Sequence, residues 1–345
     1  MPSQHDPHSE AFRTEREAER VWEIVSHSPL KNLWDFRGIP ARLLFQRAGK
    51  SFVDDNLVSR AAEMGYYFLF ALFPTLVFGS SVLGLAAKRA SDAYVGMLNY
   101  LSLVIPPSAF HMVLNTFHQT TEASTGGKLT FGLVAALWAA SVGFGSIQDT
   151  ANIVYKVKET RPYWKAKLEA IGVTVLLSAV VLATLAVLLI ADYCVRRTQH
   201  QALMHMVGFA AVGVIKFVAW TLVTALLILL IAIIYYFAPD VKKRCWRWLT
   251  PGSAIALFFW LAASFGLRVY LHYFNSYTAT YGSLGAVIVL LTWFYVTGLT
   301  LLAGAEVNSE IEASVAERTL RQERARNSQA SAEAGTAPVQ TPGSS

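Results

Sequence analysis

Charged residues are scarce in this sequence: they make up 15% of its 345 residues, against roughly 25% in a typical soluble domain. Hydrophobic residues make up 54%, and they are gathered into runs longer than the roughly 18 residues that a membrane-crossing helix needs. This distribution argues against a single soluble core. We therefore expect an all-α, polytopic membrane protein.

Cysteine is nearly absent, with Cys194 and Cys245 as the only two. The topology predicted below places them on opposite faces of the membrane, so they cannot pair within one chain, and no C-x-x-C motif is present. The first 50 residues are polar and lack an apolar segment followed by a small-residue cleavage site. We expect the N-terminus to stay on the chain and to lie in the cytoplasm.

Enzyme signatures are also missing. The sequence contains no G-x-x-x-x-G-K-[ST], no H-E-x-x-H and no G-x-S-x-G, so no catalytic residue, metal or cofactor is predicted. His111 and His118 are seven apart and could share one helical face, but a solvated surface explains them more simply. A nuclease would need metal-binding carboxylates or a histidine pair beside a basic groove. We expect no nuclease chemistry and no nucleic-acid partner.

Six segments are predicted to span the membrane: about 61–87, 129–155, 170–192, 207–237, 249–272 and 282–305. The number of Lys and Arg residues before, between and after these spans alternates: nine, three, five, two, four, none and four. Because basic loops stay on the cytoplasmic side, both termini are predicted to be cytoplasmic. The net charge of +6 is then explained by topology rather than by a polyanionic partner.

The segments outside the spans suggest three further features. Residues 1–60 mix apolar and basic side chains and are predicted to form interfacial amphipathic helices, with a partner-binding helix as the alternative. The loop between spans one and two is predicted to form a helical hairpin at the outer face. Residues 306–345 are predicted to be a cytoplasmic tail, disordered from about 327, where small and polar residues dominate.

Polar side chains within the spans fall into two predicted layers. Glu63, Asp149 and Glu306 lie toward the cytoplasmic side, where Gln148 and Asn152 add a polar stripe on span two. They could line a water-filled vestibule that binds a proton, a cation or a polar head group. Helix capping and interhelical hydrogen bonds are the alternative explanation.

The second layer, toward the outer side, holds Asp192, Lys216 and Arg268. The two basic side chains could extend to the outer interface, pair with Asp192, or form an anion site. Pro74, within span one, has no N–H to donate to the Phe70 carbonyl and is predicted to kink that helix. Small residues on spans one and two could instead pack helices within a monomer or between subunits.

Four groups of residues carry a resemblance to a known family over about 50–312. They are Asp55 with AAEMGYYFLFALFP; Trp138, Gln148, Asn152, Tyr155 and Glu159-Thr160-Arg161-Pro162; Tyr236-Phe237-Ala238-Pro239-Asp240 with Pro251-Gly252; and Tyr277, Tyr281-Gly282-Ser283-Leu284-Gly285, Trp293 and Gly304-Ala305-Glu306-Val307-Asn308. On these residues the chain resembles the YihY/BrkB family of bacterial inner-membrane proteins, some once labelled ribonuclease BN.

The resemblance implies a six-helix fold in the bacterial inner membrane, without an agreed activity and with a suspected role in transport. It implies that the ribonuclease label is a misassignment. Glu306, Asn152 and the turn with Tyr281, Gly282 and Gly285 match its motif positions and become site candidates. Glu63 departs from the family pattern, in which this position is small or apolar.

The leading hypothesis is a transporter or lipid-handling protein. Spans one, two and six would form a cavity whose cytoplasmic mouth carries Asp149, Asn152 and Glu306, with membrane lipids or an unknown small substrate or ion as ligand. One alternative is a non-catalytic membrane scaffold that binds partners through the N-terminal region and the basic loops. Another is a lipid-modifying enzyme with Asp149 or Glu306 as general acid or base, for which no nucleophile is visible.

Overall fold

The structure is a computed structural model that describes residues 19–26, 40–86, 102, 110, 126–201, 206–243, 245–273 and 283–335. Within these residues the fold is all-α, without a strand. A short helical segment covers 19–26. Seven longer helices follow: α1 (Ala41–Asp54), α2 (Leu57–Ala86), α3 (Gly126–Val154), α4 (Tyr163–Gln201), α5 (Met206–Phe237), α6 (Pro251–Tyr273) and α7 (Ser283–Gly335).

Five of the described helices are long and apolar enough to cross a membrane, and they match predicted spans two to six. The helix α2 lies at the first predicted span but is not among the five, and its first turns carry Arg60 and Glu63. Between 11% and 39% of each apolar window is buried inside the protein. The large exposed side chains, such as Phe131, Phe217 and Phe258, suit a surface that faces lipid rather than water.

The helices α2 to α7 form a closed ring in chain order. Each packs on the next, and α7 returns to α2. The last helix also contacts α1 and α3, so it is shared by most of the bundle. The main apolar core draws on α2, α3, α4, α5 and α7, with Leu57, Met64, Val154 and Ile233 among its most buried side chains.

The beginning of α6 and the middle of α7 touch backbone to backbone. A Cβ atom at Gly304 would lie 2.3 Å from the Gly252 carbonyl oxygen, and one at Gly252 would lie 2.0 Å from the Gly304 carbonyl oxygen. The Asn308 side chain fixes this contact: its Oδ1 accepts from the Gly252 N–H at 2.9 Å, and its Nδ2 donates to Thr250 Oγ1 at 3.0 Å. Asn308 therefore satisfies a backbone donor that the start of a helix leaves without an intrahelical partner.

Residues 304–314 of α7 are buried on every side of the helix, including Glu306, Glu310 and Glu312. This segment belongs to the packed bundle, which corrects the prediction of a separate tail from 306. The helix also continues to Gly335, past the predicted start of disorder at about 327. Its exposed end, with Glu323, Arg324, Ala325 and Arg326, is rich in good helix formers, which extend a helix that is already nucleated.

The described parts of the N-terminal region pack against the bundle. Val21 and Val25 join the main core, while Leu44 and Ala48 of α1 pack on Val307 and Ile311 of α7. The opposite side of α1 exposes apolar side chains, including Phe45 and Val53. The interfacial position of this region stays a prediction. The predicted outer hairpin lies outside the described residues except for Ser102 and Phe110.

The glycine contact between α6 and α7 predicts a large effect of a single methyl group. Gly304→Ala should lower the free energy of unfolding by about 3 kcal/mol or more, at or above the usual cost of overpacking, because a backbone carbonyl cannot move aside as a side chain can. In the control Gly266→Ala on α6, the new Cβ meets nothing within 4 Å. Thermal unfolding of the purified variants checks this, and equal stabilities would contradict the contact.

Candidate functional site

A cavity of about 430 Å³ lies between α2, α3 and α4, beside the loop that joins α3 to α4. Both polar and apolar side chains line it. From α2 come Glu63 and Tyr67; from α3 come Ser141, Val142, Gly145, Ser146, Gln148 and Asp149; from the loop come Glu159 and Arg161; and from α4 come Tyr163, Ala166, Lys167 and Ala170. The volume suits a small ligand.

Three polar groups that line the cavity have no partner among the described residues. Asp149, the exposed carboxylate, makes no hydrogen bond or ion pair within the described part of the chain. Gln148 Nε2 and Ser146 Oγ are buried and likewise have no hydrogen-bond partner there. Buried polar groups are nearly always paired, so Gln148 and Ser146 are exceptions beside the cavity. The exposed Asp149 carboxylate is the group that a polar ligand could reach directly.

The two cations of the cavity differ in their contacts. Lys167 places its ammonium 4.4 Å from the centre of the Trp138 ring and makes no ion pair in the described part of the chain. Arg161 is saturated: it binds Glu159 at 2.7 Å and Glu169 at 2.8 Å, and its Nη2 lies 3.4 Å from the Ala238 carbonyl oxygen. Only Lys167 is free to bind an anionic group of a ligand.

Arg161 and Glu159 stabilise the loop between α3 and α4 by binding each other. The hydrogen bond from Arg161 is the largest influence that holds the pKa of Glu159 below its usual range. The same hydrogen bond raises the pKa of Arg161. Thr160 donates to Asp240 Oδ2 through both its N–H and its hydroxyl, at 2.7 and 2.6 Å. The loop is thereby tied to the segment that follows α5.

Asn152 joins three parts of the chain through hydrogen bonds: its own helix α3, the loop after it and the segment after α5. Its Nδ2 donates to Glu159 Oε2 at 2.8 Å, and its Oδ1 accepts from the Asp240 N–H at 2.7 Å. It does not line the cavity. The predicted vestibule therefore keeps Asp149, Gln148 and Glu63 and loses Asn152, which agrees with the hydrogen-bonding alternative for this one residue.

The third carboxylate of the predicted vestibule lies elsewhere. Glu306 is 2% exposed on α7, does not line the cavity, and has its Oε2 without a hydrogen-bond partner. Around it lie Glu310, which accepts from the Ser51 hydroxyl at 2.9 Å, and an ion pair between Lys156 and Asp55. The prediction of one cavity formed by spans one, two and six is wrong: the cavity uses spans one to three, and α7 carries a separate site.

The remaining candidates are placed as follows. Glu63 is exposed, lines the cavity and pairs with Arg60 at 3.2 Å. Pro74 lies inside α2, and Gly285 is buried near the start of α7. Tyr281 and Gly282 lie outside the described residues.

The outer layer does not form the pair with Asp192 that was one of the alternatives for Lys216 and Arg268. Asp192 binds Arg196 on its own helix at 2.8 Å, because residues four apart meet on one helical face. Lys216 is exposed, and Arg268 donates to the Ser102 carbonyl at 3.1 Å. Nothing in the described residues joins these three side chains into an anion site.

Sequence reasoning missed Ser146, Arg161 and Lys167 as site residues. From the sequence alone, Lys167 is only a marker of a cytoplasmic loop, and Arg161 is only such a marker and part of the family resemblance. The sequence positions of Arg161, before α4, and Lys167, within α4, do not show which of them is paired. In the structure Arg161 binds two carboxylates, whereas Lys167 makes no ion pair among the described residues. Ser146 gave a weak signal, since it lies between Gly145 and Gln148 on a span with several small residues.

Comparisons with known proteins place the chain among membrane proteins. A family model described as virulence factor BrkB matches residues 48–328. A ribonuclease-like protein of Bacillus subtilis, YfkH, is 32% identical over 73% of this chain and 88% of its own length. A UPF0761 membrane protein of Xanthomonas oryzae pv. oryzae is 30% identical over 79% of this chain, and the match spans 60% of that relative's length. No solved structure matches.

The ion pairs of Arg161 with Glu159 and Glu169 predict that the protein loses stability in acid. Glu159 has a lowered pKa in the folded protein, so its contribution is present above the unfolded-state value of about 4.3 and is lost as pH falls through the folded value. Arg161→Gln should lower the melting temperature at neutral pH and flatten its fall below about pH 5. The control is Arg196→Gln, which removes an exposed ion pair. Thermal unfolding against pH checks this, and an unchanged acid slope in Arg161→Gln would contradict it.

Proposed function

The chain belongs to the family of virulence factor BrkB. We propose that this membrane protein is a transporter that moves a small polar solute or a lipid head group through the cavity between α2, α3 and α4. The observation that carries the proposal is the set of unpaired polar groups inside one cavity of a helical membrane bundle. Polar side chains are costly within a membrane and face a cavity or a partner when they are kept.

The side chains that line the cavity favour a ligand that carries both a positive and a negative group. Asp149 is an unpaired anion, Lys167 an unpaired cation, and Gln148 an unpaired amide donor. A zwitterion would place its ammonium on Asp149 and its anionic group on Lys167, and the Gln148 amide would donate to the same ligand. Compounds of this kind include amino acids and zwitterionic head groups.

A change of access could use α2. Pro74 lies inside this helix and leaves the Phe70 carbonyl without the usual N–H partner, whereas the Ala71 carbonyl accepts from the Thr75 hydroxyl at 2.7 Å. Proline sites are where helices most often bend. Because Glu63 and Tyr67 of α2 line the cavity, bending of α2 would change its opening.

A nuclease is not proposed, although the name of YfkH carries a ribonuclease-like label. The residues that line the cavity include three carboxylates, Glu63, Asp149 and Glu159, against the two cations Arg161 and Lys167. Nucleic acids are polyanions and bind to surfaces with excess positive charge. This cavity carries more negative than positive side chains and therefore disfavours a polyanion.

The proposal predicts that Asp149→Asn removes a bound compound. Wild type, this variant and the control Asp54→Asn, which changes an exposed carboxylate on α1, are extracted into polymer nanodiscs, and the retained small molecules and lipids are identified by mass spectrometry. A compound enriched over bulk membrane should be present in wild type and in Asp54→Asn, and reduced at least about tenfold in Asp149→Asn, the loss of one charge-assisted contact.

The melting temperature of Asp149→Asn should stay within a few degrees of wild type, since Asp149 has no partner in the described protein to lose. The compound found then serves as substrate in a proteoliposome flux assay. Identical profiles in all three proteins, or a compound that is bound but not moved, would contradict the transport proposal.

A further inference from the structure

The buried carboxyl group of Glu306 lies outside the cavity and has no assigned role in the proposed transport. It is 2% exposed, and its Oε2 has no hydrogen-bond partner in the described protein. The two other buried glutamates of the same segment do have partners: Glu310 accepts from Ser51, and Glu312 is paired with Arg247. The Ser51 hydroxyl also lies near the Glu306 carboxyl group, but it is neutral. Of the three buried glutamates, Glu306 is the one with a buried oxygen that has no hydrogen-bond partner in the described residues.

Among the described residues, the one cation that faces Glu306 is already bound to another carboxylate. The charged or titratable groups that face it are Asp55 from the turn between α1 and α2, Tyr155 and Lys156 from the end of α3, and Glu310 from α7 itself. The one cation, Lys156, binds both carboxylate oxygens of Asp55. An ionised Glu306 would place three carboxylates beside a single ammonium group.

The end of α3 adds to the cost of a charge at Glu306. This helix ends at Val154, whose carbonyl accepts from the Ser309 hydroxyl at 2.8 Å, and Ser309 lies one turn from Glu306 on α7. The C-terminus of a helix carries partial negative charge and so disfavours a nearby anion. The local dipole and the neighbouring carboxylates act in the same direction.

From this geometry we infer that Glu306 is a proton-binding site, occupied at neutral pH, so that its side chain is a neutral carboxylic acid in the folded protein. A proton is the ligand that a single carboxyl group can hold without further donors, and a neutral acid is far less costly to bury unpaired than a carboxylate. A metal ion fits less well, because the described residues contain no group of three acidic, histidine or cysteine side chains able to hold one.

Loss of this proton would act on the pair of Lys156 and Asp55. The new carboxylate would compete with Asp55 for the Lys156 ammonium, and that pair joins the turn between α1 and α2 to the end of α3. Lys156 also has a left-handed backbone with φ of 50°, so its position depends on the local shape of the helix end. The proton on Glu306 therefore stabilises the contact between these two connections.

Infrared difference spectroscopy of the full-length protein in nanodiscs tests the inference directly. Wild type at neutral pH should show the carbonyl band of a protonated carboxylic acid, and carbon-13-labelled glutamate should shift it. The band should be lost in Glu306→Gln and kept in Glu310→Gln and in Glu323→Gln, a matched change on the exposed end of the same helix. Absence of the band in wild type, or its loss in Glu310→Gln with retention in Glu306→Gln, overturns the inference.

Stability against pH gives a second test, which needs no flux and survives failure of the transport proposal. If the folded protein keeps a proton that the unfolded chain releases, folding takes up that proton, and stability falls as pH rises above the ordinary glutamate pKa of about 4.3. Glu306→Gln should flatten this fall, whereas Glu323→Gln should not. If Glu306→Gln does not fold, the labelled wild-type band decides alone: it must disappear on alkaline titration, and a band that is absent or insensitive to pH refutes the assignment.

Discussion

The close approach of α6 and α7 at Gly252 and Gly304 is the constraint on which the rest of the bundle depends. Two helix backbones can meet at this distance only where neither carries a side chain, and Asn308 then reaches the first N–H groups of α6. With α6 fixed, α7 closes the ring from α2 to α7 and becomes the helix that most others contact. Its residues 304–314 are buried for that reason, although several are polar.

Two groups of polar residues lie side by side near the loop that joins α3 to α4: one holds the loop in place, and the other lines the cavity. Arg161, Glu159, Asn152 and Asp240 are mutually saturated and hold the loop after α3 in place. The cavity beside them keeps unpaired groups. Lys156, at the start of the same loop, binds Asp55 beside Glu306. A shift of this loop would thus reach both the cavity and the buried glutamate, which gives the proposed transport a physical route to a bound proton.

Hydropathy and charge were enough to predict an all-α membrane protein, and five of the six predicted spans match apolar helices. Charges in and next to the predicted spans drew attention to Asp149 and Glu306, but the sequence spacing does not show that the two side chains lie at different places in the bundle. The polar stripe of Gln148 and Asn152 would continue to Lys156 only if the helix ran through residue 156, whereas α3 ends at Val154. There Lys156 takes the left-handed conformation, and the Val157 N–H bonds the Asn152 carbonyl at 2.9 Å. The partners of Asn152 and Glu306 lie on other elements, so no local pattern could identify them.

The central claim is that the cavity between α2, α3 and α4 admits water and a polar solute, as the proposed transport requires, from the side predicted to be cytoplasmic. The measurement that tests it most directly is the reactivity of Gly145→Cys, with Cys194 and Cys245 replaced, toward a membrane-impermeant thiol reagent. Gly145 lines the cavity and has nothing within 4 Å of an added Cβ. The control is Gly172→Cys on α4, where an added Cβ also meets nothing within 4 Å. Gly172 is exposed and about as many residues from the loop between α3 and α4 as Gly145, but it does not line the cavity. The account predicts rapid labelling of Gly145→Cys in inverted vesicles and none of Gly172→Cys; labelling of neither, or of both at equal rates, would contradict it.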